Sequence, residues 1–146
     1  MKYLLFLFLW SCTAEMPTDN YIPITTTFSG QDLEFFNDLN QIRVSSNLKP
    51  LKAEFNLTKG CTQHSVYMNS LDSINHDYFW QRYINSKSKG FAEVISYGFT
   101  NAQGQIAGYQ SSVEHYQILI NPIYTHIGIA NSGTYQTVNL AYYDYN

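Results

Sequence analysis

The chain has 146 residues, of which eleven are acidic and eight are basic, and its formal net charge is −3. This length allows one domain, and the small acidic excess excludes a nucleic-acid-binding surface built on bulk positive charge. Apolar residues make up 45% of the chain and charged residues only 13%, which is typical of a protein with a folded core and excludes a disordered one.

The first residues have the features of an export signal. Lys2 precedes an apolar run from Leu4 to Trp10, and this run is far shorter than the roughly 20 residues that span a bilayer. Leu9-Trp10-Ser11-Cys12 is similar to a bacterial lipobox, in which Cys12 is lipidated and becomes the mature N-terminus. Ordinary cleavage after Ala14 is the alternative.

The lipobox interpretation defines the organisation of the chain. It predicts a signal peptide over residues 1–11, a linker over 12–28 and a folded domain over 29–146. The protein is then an exported lipoprotein of the cell envelope, held at the membrane by Cys12. With ordinary cleavage it is secreted or periplasmic instead.

Two helices are expected at the start of the domain. The first begins near Ser29, because carboxylates in its first turn favour the helix dipole, and ends between Ser45 and Asn47. The second has apolar or weakly polar side chains at steps of three and four residues, which form one stripe of a helix: Leu57, Cys61, His64, Met68 and Leu71. This stripe predicts that Cys61 and His64 are buried.

The rest of the domain is predicted from five segments. Residues 72–90 are expected to form an aromatic-rich loop, with a short helical turn as an alternative, and Phe91–Tyr97 a buried segment. Gln105–His115 is a candidate for a third helix. Two β-rich runs, Thr125–Ala130 and Tyr135–Tyr143, indicate a hairpin. This order of elements favours an α+β fold with helices packed on an antiparallel sheet.

Three polar residues stand at boundaries between polar and apolar segments: His76, Glu93 and His115. Two neutral imidazoles and a carboxylate could bind a divalent metal such as zinc. They could equally form a hydrogen-bonded cluster that only fixes loops. His64, in its apolar stripe, and His126, in a predicted strand, are interpreted as structural.

A serine-based mechanism is also conceivable, because Ser112 precedes His115 by three positions. However, the sequence has no Gly-x-Ser-x-Gly elbow to expose such a serine. Cys61 and His64 would both face the core, where an unactivated thiol is inert.

These segments together resemble the CAP superfamily (cysteine-rich secretory proteins, antigen 5, pathogenesis-related proteins) in its short bacterial SCP-like form. The resemblance runs from about residue 30 to 144 and rests on seven pieces in order: Leu39-Asn40-x-x-Arg43, Asn47-Leu48-x-Pro50-Leu51, Leu57-x-x-x-Cys61-x-x-His64-Ser65-x-x-Met68, His76, Phe91-Ala92-Glu93-Val94-Ile95, Tyr109-x-x-Ser112-x-x-His115 and Asn121-Pro122-x-Tyr124-x-x-Ile127-Gly128-Ile129.

The resemblance implies an α–β–α sandwich, with helices on both faces of a small antiparallel sheet. It also implies that His76, Glu93 and His115 line one cleft. In animal and plant members a second Glu completes the cleft, and Ser112 is the nearest counterpart here.

The resemblance further implies a non-enzymatic binding module that takes a small molecule, a lipid, an envelope component or a divalent cation such as zinc, with His76 and His115 as metal ligands. One alternative is a peptidase or esterase that uses Glu93 or a histidine of the same cleft as general base. Another is a surface protein that binds a partner through its Tyr-rich exterior.

Overall fold

The structure is a computed structural model that describes residues 27–144. The predicted signal peptide, the lipidation site Cys12 and most of the predicted linker lie outside the described residues. Within 27–144 the chain forms five helices and four strands: α1 (Gly30–Ser45), β1 (Lys52–Ala53), α2 (Phe55–Leu71), α3 (Phe79–Ser86), β2 (Gly90–Tyr97), α4 (Ala102–Gln110), α5 (Val113–Leu119), β3 (His126–Ser132) and β4 (Tyr135–Tyr142).

The strands form one sheet in the order β1-β3-β4-β2. The hairpin of β3 and β4 is the centre of the sheet, and β2 pairs antiparallel with β4 along its whole length. The two residues of β1 pair in parallel with the start of β3, where Lys52 lies opposite His126. The sheet is therefore mixed, and the predicted antiparallel arrangement holds for its three long strands.

Helices cover both faces of the sheet, which confirms the predicted α–β–α sandwich. The helices α2 and α3 lie on one face, and α1, α4 and α5 lie on the other. The main core fills the space between the sheet and the second group of helices, and it consists of these buried side chains: Phe28, Phe35, Leu39, Leu51, Val94, Ala102, Ile106, Tyr109, Leu119, Ile127, Ile129, Val138 and Leu140. Phe28, the last residue of the predicted linker, is thus part of the folded domain.

Close approach of α2 to the sheet depends on Gly128 in β3. A Cβ atom at this position would overlap the backbone of Leu57 and Thr58 at the start of α2. The buried stripe of α2 then packs on β3 and β4, and the predicted burial of Cys61 and His64 is confirmed, with 0% and 1% exposure.

Two elements differ from the sequence predictions. Residues 72–90 include α3, a full helix of eight residues. The predicted helix Gln105–His115 is divided into α4 and α5, because Ser112 has an extended backbone (φ −110°, ψ 106°) that ends the helical hydrogen bonding.

Arg43 fixes the end of α5 to the end of α1. Its side chain is completely buried, and its guanidinium donates hydrogen bonds to four backbone carbonyl groups, those of Lys49, Leu119, Asn121 and Tyr124. A buried guanidinium is tolerated only when its donors are paired, so this contact joins the end of α1 to the segment 119–124, which is distant in sequence.

Candidate functional site

The centre of the candidate site is an ion pair between β2 and α3. Glu93 is buried on the face of the sheet that α2 and α3 cover. The Arg82 guanidinium binds both of its oxygens, with Nε 2.5 Å from Oε2 and Nη2 2.6 Å from Oε1. This bidentate geometry is the strongest form of an arginine–carboxylate contact, and it fixes the position of both side chains.

His76 connects this pair to solvent. Its Nδ1–H donates to Oε1 of Glu93 over 2.9 Å, while half of its side chain is exposed. A donated Nδ1–H leaves Nε2 of the neutral imidazole as an acceptor. Within residues 27–144 this Nε2 has no hydrogen-bond partner. His76 is therefore the part of the cluster that solvent reaches.

His64 lies beneath the ion pair. Its Nδ1 accepts a hydrogen bond of 3.1 Å from Nη1 of Arg82, and its Nε2–H donates to the backbone oxygen of Asn75 over 2.7 Å. The same Nη1 of Arg82 also donates to the carbonyl of Asp77 over 2.6 Å. These bonds hold the backbone on both sides of His76, so the cluster positions that histidine through its neighbours.

The charges of the cluster follow from these contacts. Burial alone would raise the pKa of Glu93, but hydrogen bonds from His76 and Arg82 and the charge of Arg82 outweigh it, so the pKa lies below its ordinary value. Burial, and next the charge of Arg82, lower the pKa of His64. The resulting state is an ionised Glu93, a charged Arg82 and a neutral His64.

Ser112 and His115 form a separate contact. Ser112 Oγ lies 2.7 Å from His115 Nδ1, and the His115 ring lies beside that of Tyr109, with centroids 6.1 Å apart. Tyr109 donates to Gln136, whose side chain faces the α1, α4 and α5 layer. Among the residues described, no hydrogen bond or ion pair joins this contact to Glu93. The inclusion of all four residues in one cleft stays a prediction.

The cluster does not fit a zinc site. Zinc needs about three protein ligands with free lone pairs, whereas both oxygens of Glu93 are occupied by Arg82 and His76. Within 27–144, no group of three or more His, Cys, Asp or Glu side chains is arranged to hold a metal ion. Zinc binding through His76 and His115 stays a prediction for direct titration.

Two polar groups lie deeper in the same layer. Asn139 stands opposite Glu93 on the neighbouring strand. It is fully buried, and its amide oxygen and nitrogen lack hydrogen-bond partners within the described part of the chain. Cys61 is also completely buried, and burial followed by the charge of Glu93 raises the pKa of its thiol. This thiol is therefore an inert part of the packing.

Sequence reasoning missed Arg82 and Asn139. The sequence feature that could have identified Arg82 is its position eleven residues before Glu93, because a buried carboxylate is costly without a donor or a cation. Asn139 is one polar residue in a β-rich run, and nothing in the sequence indicates its burial.

A shallow groove of about 320 Å³ lies on the opposite side of the sheet, between α1 and α4. Its lining combines apolar and polar side chains: Asp38, Gln41, Ile42, Gln103, Ile106, Ala107 and Gln110. It does not include any residue of the Glu93 cluster. Of the helices described, none is long and apolar enough to cross a membrane.

Comparison with known proteins identifies relatives of this arrangement. Residues 36–144 match the model of the cysteine-rich secretory protein family, CAP. The fold is similar to an extracellular protein containing an SCP domain from Bacillus anthracis (TM-score 0.73, 22% identity, 77% of this chain and 40% of that one). It is also similar to a cysteine-rich secretory protein from Staphylococcus aureus (TM-score 0.69, 20% identity, 76% and 38%).

A third similar structure is an outer surface protein from Borrelia burgdorferi (TM-score 0.71, 17% identity, 81% of this chain and 97% of that one). The chain therefore spans about two fifths of the length of the first two proteins and nearly all of the third. No curated protein matches it significantly. At these identities the structural likeness shows the fold.

Proposed function

Because the chain belongs to the cysteine-rich secretory protein family, we propose that it is an exported, envelope-anchored binding module without enzymatic activity. Its ligand contact is the imidazole of His76, held by Glu93. The ligand is a small molecule or a lipid, and a divalent cation such as zinc is tested separately. Export is supported by the signal-like sequence of residues 1–11 and by relatives named as extracellular or outer surface proteins.

One observation carries the proposal: within residues 27–144, the cluster leaves Nε2 of the half-exposed His76 without an internal hydrogen-bond partner. Both Glu93 oxygens and all three guanidinium nitrogens of Arg82 are committed to internal bonds. The half-exposed His76 remains, with its orientation fixed and Nε2 as an acceptor. A preorganised acceptor of this kind favours binding of a ligand that donates a hydrogen bond.

The alternative of a hydrolase needs more than an oriented histidine. A nucleophile within reach of the base and donors for an oxyanion are both required. Among residues 27–144, no hydroxyl or thiol is hydrogen-bonded to His76, and Ser112 is bonded to His115 instead. At His76 these contacts favour a binding role, whereas a hydrolase would have to use the Ser112–His115 pair.

The test compares wild type with His76→Ala, and with His126→Ala as a control at a partly exposed histidine of β3. Ligand-observed NMR with a library of small hydroxyl compounds measures binding, and zinc chloride titration tests the cation separately. We expect binding that is lost in His76→Ala and retained in His126→Ala, with the amide spectrum of the fold unchanged. Equal binding by all three proteins would remove His76 from the site.

Catalysis is tested on the same proteins. We expect p-nitrophenyl acetate and casein to be hydrolysed no faster than in buffer. If wild type hydrolyses either substrate and His76→Ala does not, the binding proposal is wrong and the protein is a hydrolase that uses His76.

A further inference from the structure

The helix α3 has its polar and apolar sides reversed. Its inward side chains are Arg82 and Ser86, which are 3% and 1% exposed. Its outward side chains are Trp80 and Ile84, which are 70% and 67% exposed. Both pairs are spaced by four residues, so each forms one side of the helix. The Glu93 cluster explains the polar inner side, but in the described part of the chain the apolar outer side stays largely uncovered.

Aromatic rings extend this apolar side onto the edge of the sheet. Phe79 and Tyr83 each contact Phe91 on the edge strand β2, with ring centroids 5.3 and 5.7 Å apart. Trp80 contacts both Phe79 and Tyr83. We call these five side chains, Phe79, Trp80, Tyr83, Ile84 and Phe91, the α3 patch. A contiguous apolar patch of this kind is typical of an interaction surface.

The exposed charges within the segment that carries the α3 patch have one sign. Lys87 and Lys89 follow the helix directly and are exposed. The segment 78–92 contains no Asp or Glu, although the whole chain has a net charge of −3. The preceding acid, Asp77, is hydrogen-bonded to the hydroxyl of Tyr67. The patch therefore combines Trp, Tyr and an aliphatic side chain with flanking lysines.

We propose that the α3 patch docks on the surface of an anionic lipid bilayer. Trp and Tyr favour the membrane interface because an apolar ring carries a polar tip there, and each lysine near an anionic surface adds about 1 kcal/mol of attraction. The inference rests on the proposed envelope anchoring. A lipid on Cys12 leaves residues 13–26 as a tether, which reaches at most about 50 Å when extended, so the domain stays close to the bilayer.

The two tryptophans of the chain make the docking measurable. Trp10 lies in the predicted signal peptide and Trp80 in the α3 patch, so the full chain with Trp10→Phe reports on Trp80 alone. We expect its emission to shift to shorter wavelength and to be quenched by brominated lipids in vesicles of phosphatidylcholine and phosphatidylglycerol. Vesicles of phosphatidylcholine alone should give a weaker effect.

Matched variants distinguish docking through the α3 patch from nonspecific hydrophobic binding. Ile84→Glu should weaken the vesicle-dependent quenching about tenfold or more, because it removes a large apolar side chain from the contact. Val113→Glu is the control, since Val113 is 69% exposed on α5, in the other helical layer, and it should leave the quenching unchanged. Equal loss in both variants would overturn the proposal.

Flotation of the vesicles separates this proposal from the anchor. If the protein floats with the vesicles but the emission of Trp80 stays that of a water-exposed tryptophan, the anchoring proposal holds and the docking proposal is wrong. If Trp80 is quenched and Cys12→Ser floats with the vesicles as well as wild type does, the docking proposal holds and the lipidation of Cys12 is wrong. An emission shift of Trp80 that depends on protein concentration in the absence of vesicles would show that a second copy of the chain covers the α3 patch. Equal quenching of Trp80 in neutral and anionic vesicles would contradict the preference for an anionic bilayer.

Discussion

At the scale of single residues, the Arg82–Glu93 pair determines the local structure. Each charge is buried and compensated only by the other and its hydrogen bonds. Removal of one partner leaves an unpaired buried charge, so we expect Arg82→Met and Glu93→Gln each to lower the free energy of unfolding by about 3–5 kcal/mol. The double variant should lose much less than the sum, as measured by urea denaturation.

Lys89→Met, a substitution at an exposed residue, serves as a control for this double-mutant comparison and should change the free energy of unfolding by less than about 0.5 kcal/mol. Additive losses in the double variant would contradict the coupling that the bidentate geometry implies.

His64 gives the protein a defined response to acid. Its folded pKa lies below the ordinary value of 6.5, first because of burial and then because of the Arg82 charge. The unfolded chain therefore binds more protons as pH falls below about 6.5, and stability decreases until His64 also protonates in the folded state. At lower pH the depressed pKa of Glu93 acts in the same direction.

We expect His64→Gln to be less stable than wild type at pH 8 but to lose less stability between pH 6.5 and 5, measured as the free energy of unfolding. His126→Gln is the comparison, because burial and next Lys52 lower the pKa of His126 too, so both substitutions should flatten the profile. A slope unchanged in His64→Gln would mean that His64 does not carry the acid response.

Residue-level sequence reasoning identified the burial of Cys61 and His64, because a helical stripe specifies which side is inward. It also identified Glu93 as a polar residue beside an apolar segment that could join a hydrogen-bonded cluster. It could not identify Arg82 as its partner, because the pairing arises when α3 packs beside β2, and this depends on the tertiary structure.

At the scale of elements, the contact between α2 and β3 depends on the absence of a side chain. Gly128→Ala would force a methyl group against the backbone of Leu57 and Thr58, which cannot move without displacing α2. We expect a loss of about 3 kcal/mol or more in the free energy of unfolding, at the upper end for an overpacked site.

Gly60 provides the matched test on α2 itself. A Cβ there would meet its nearest neighbour, Asn139 Nδ2, at 3.4 Å, which is ordinary contact. Alanine also favours a helix over glycine by about 0.5–1 kcal/mol, so Gly60→Ala should retain or increase stability. Similar losses in the two variants would show that the close approach is not limited to Gly128.

The difference between α2 and α3 explains which elements were predictable. The stripe of α2 has its apolar side inward, as the periodic pattern assumes. In α3 the inward side is Arg82 and Ser86, and a pattern search that places apolar side chains in the core fails for such a helix. The division of α4 from α5 was missed because only Ser112, a residue compatible with a helix, marks the boundary.

At the scale of the whole molecule, the two polar contacts lie on elements from different layers of the sandwich, and their union in one cleft stays a prediction. Strand alternation directs Glu93 towards α2 and α3, while the contact of Ser112 and His115 belongs to the layer of α4 and α5. The sequence could assign each motif to a helix or strand, but it could not determine which face of the sheet a strand residue points to. A shift of one residue in the strand register moves that side chain to the opposite face.

The position of the folded domain relative to the membrane depends on Cys12, which lies outside the described residues. Cys61 is completely buried, so Cys12 is the thiol that a lipid could modify. We expect the expressed wild-type chain to enter the detergent phase of a Triton X-114 partition, and Cys12→Ser to remain unprocessed or move to the aqueous phase. Cys61→Ala, the matched control, should still enter the detergent phase, since it retains Cys12. A wild-type protein found wholly in the aqueous phase would favour ordinary cleavage after Ala14 and a freely secreted or periplasmic domain.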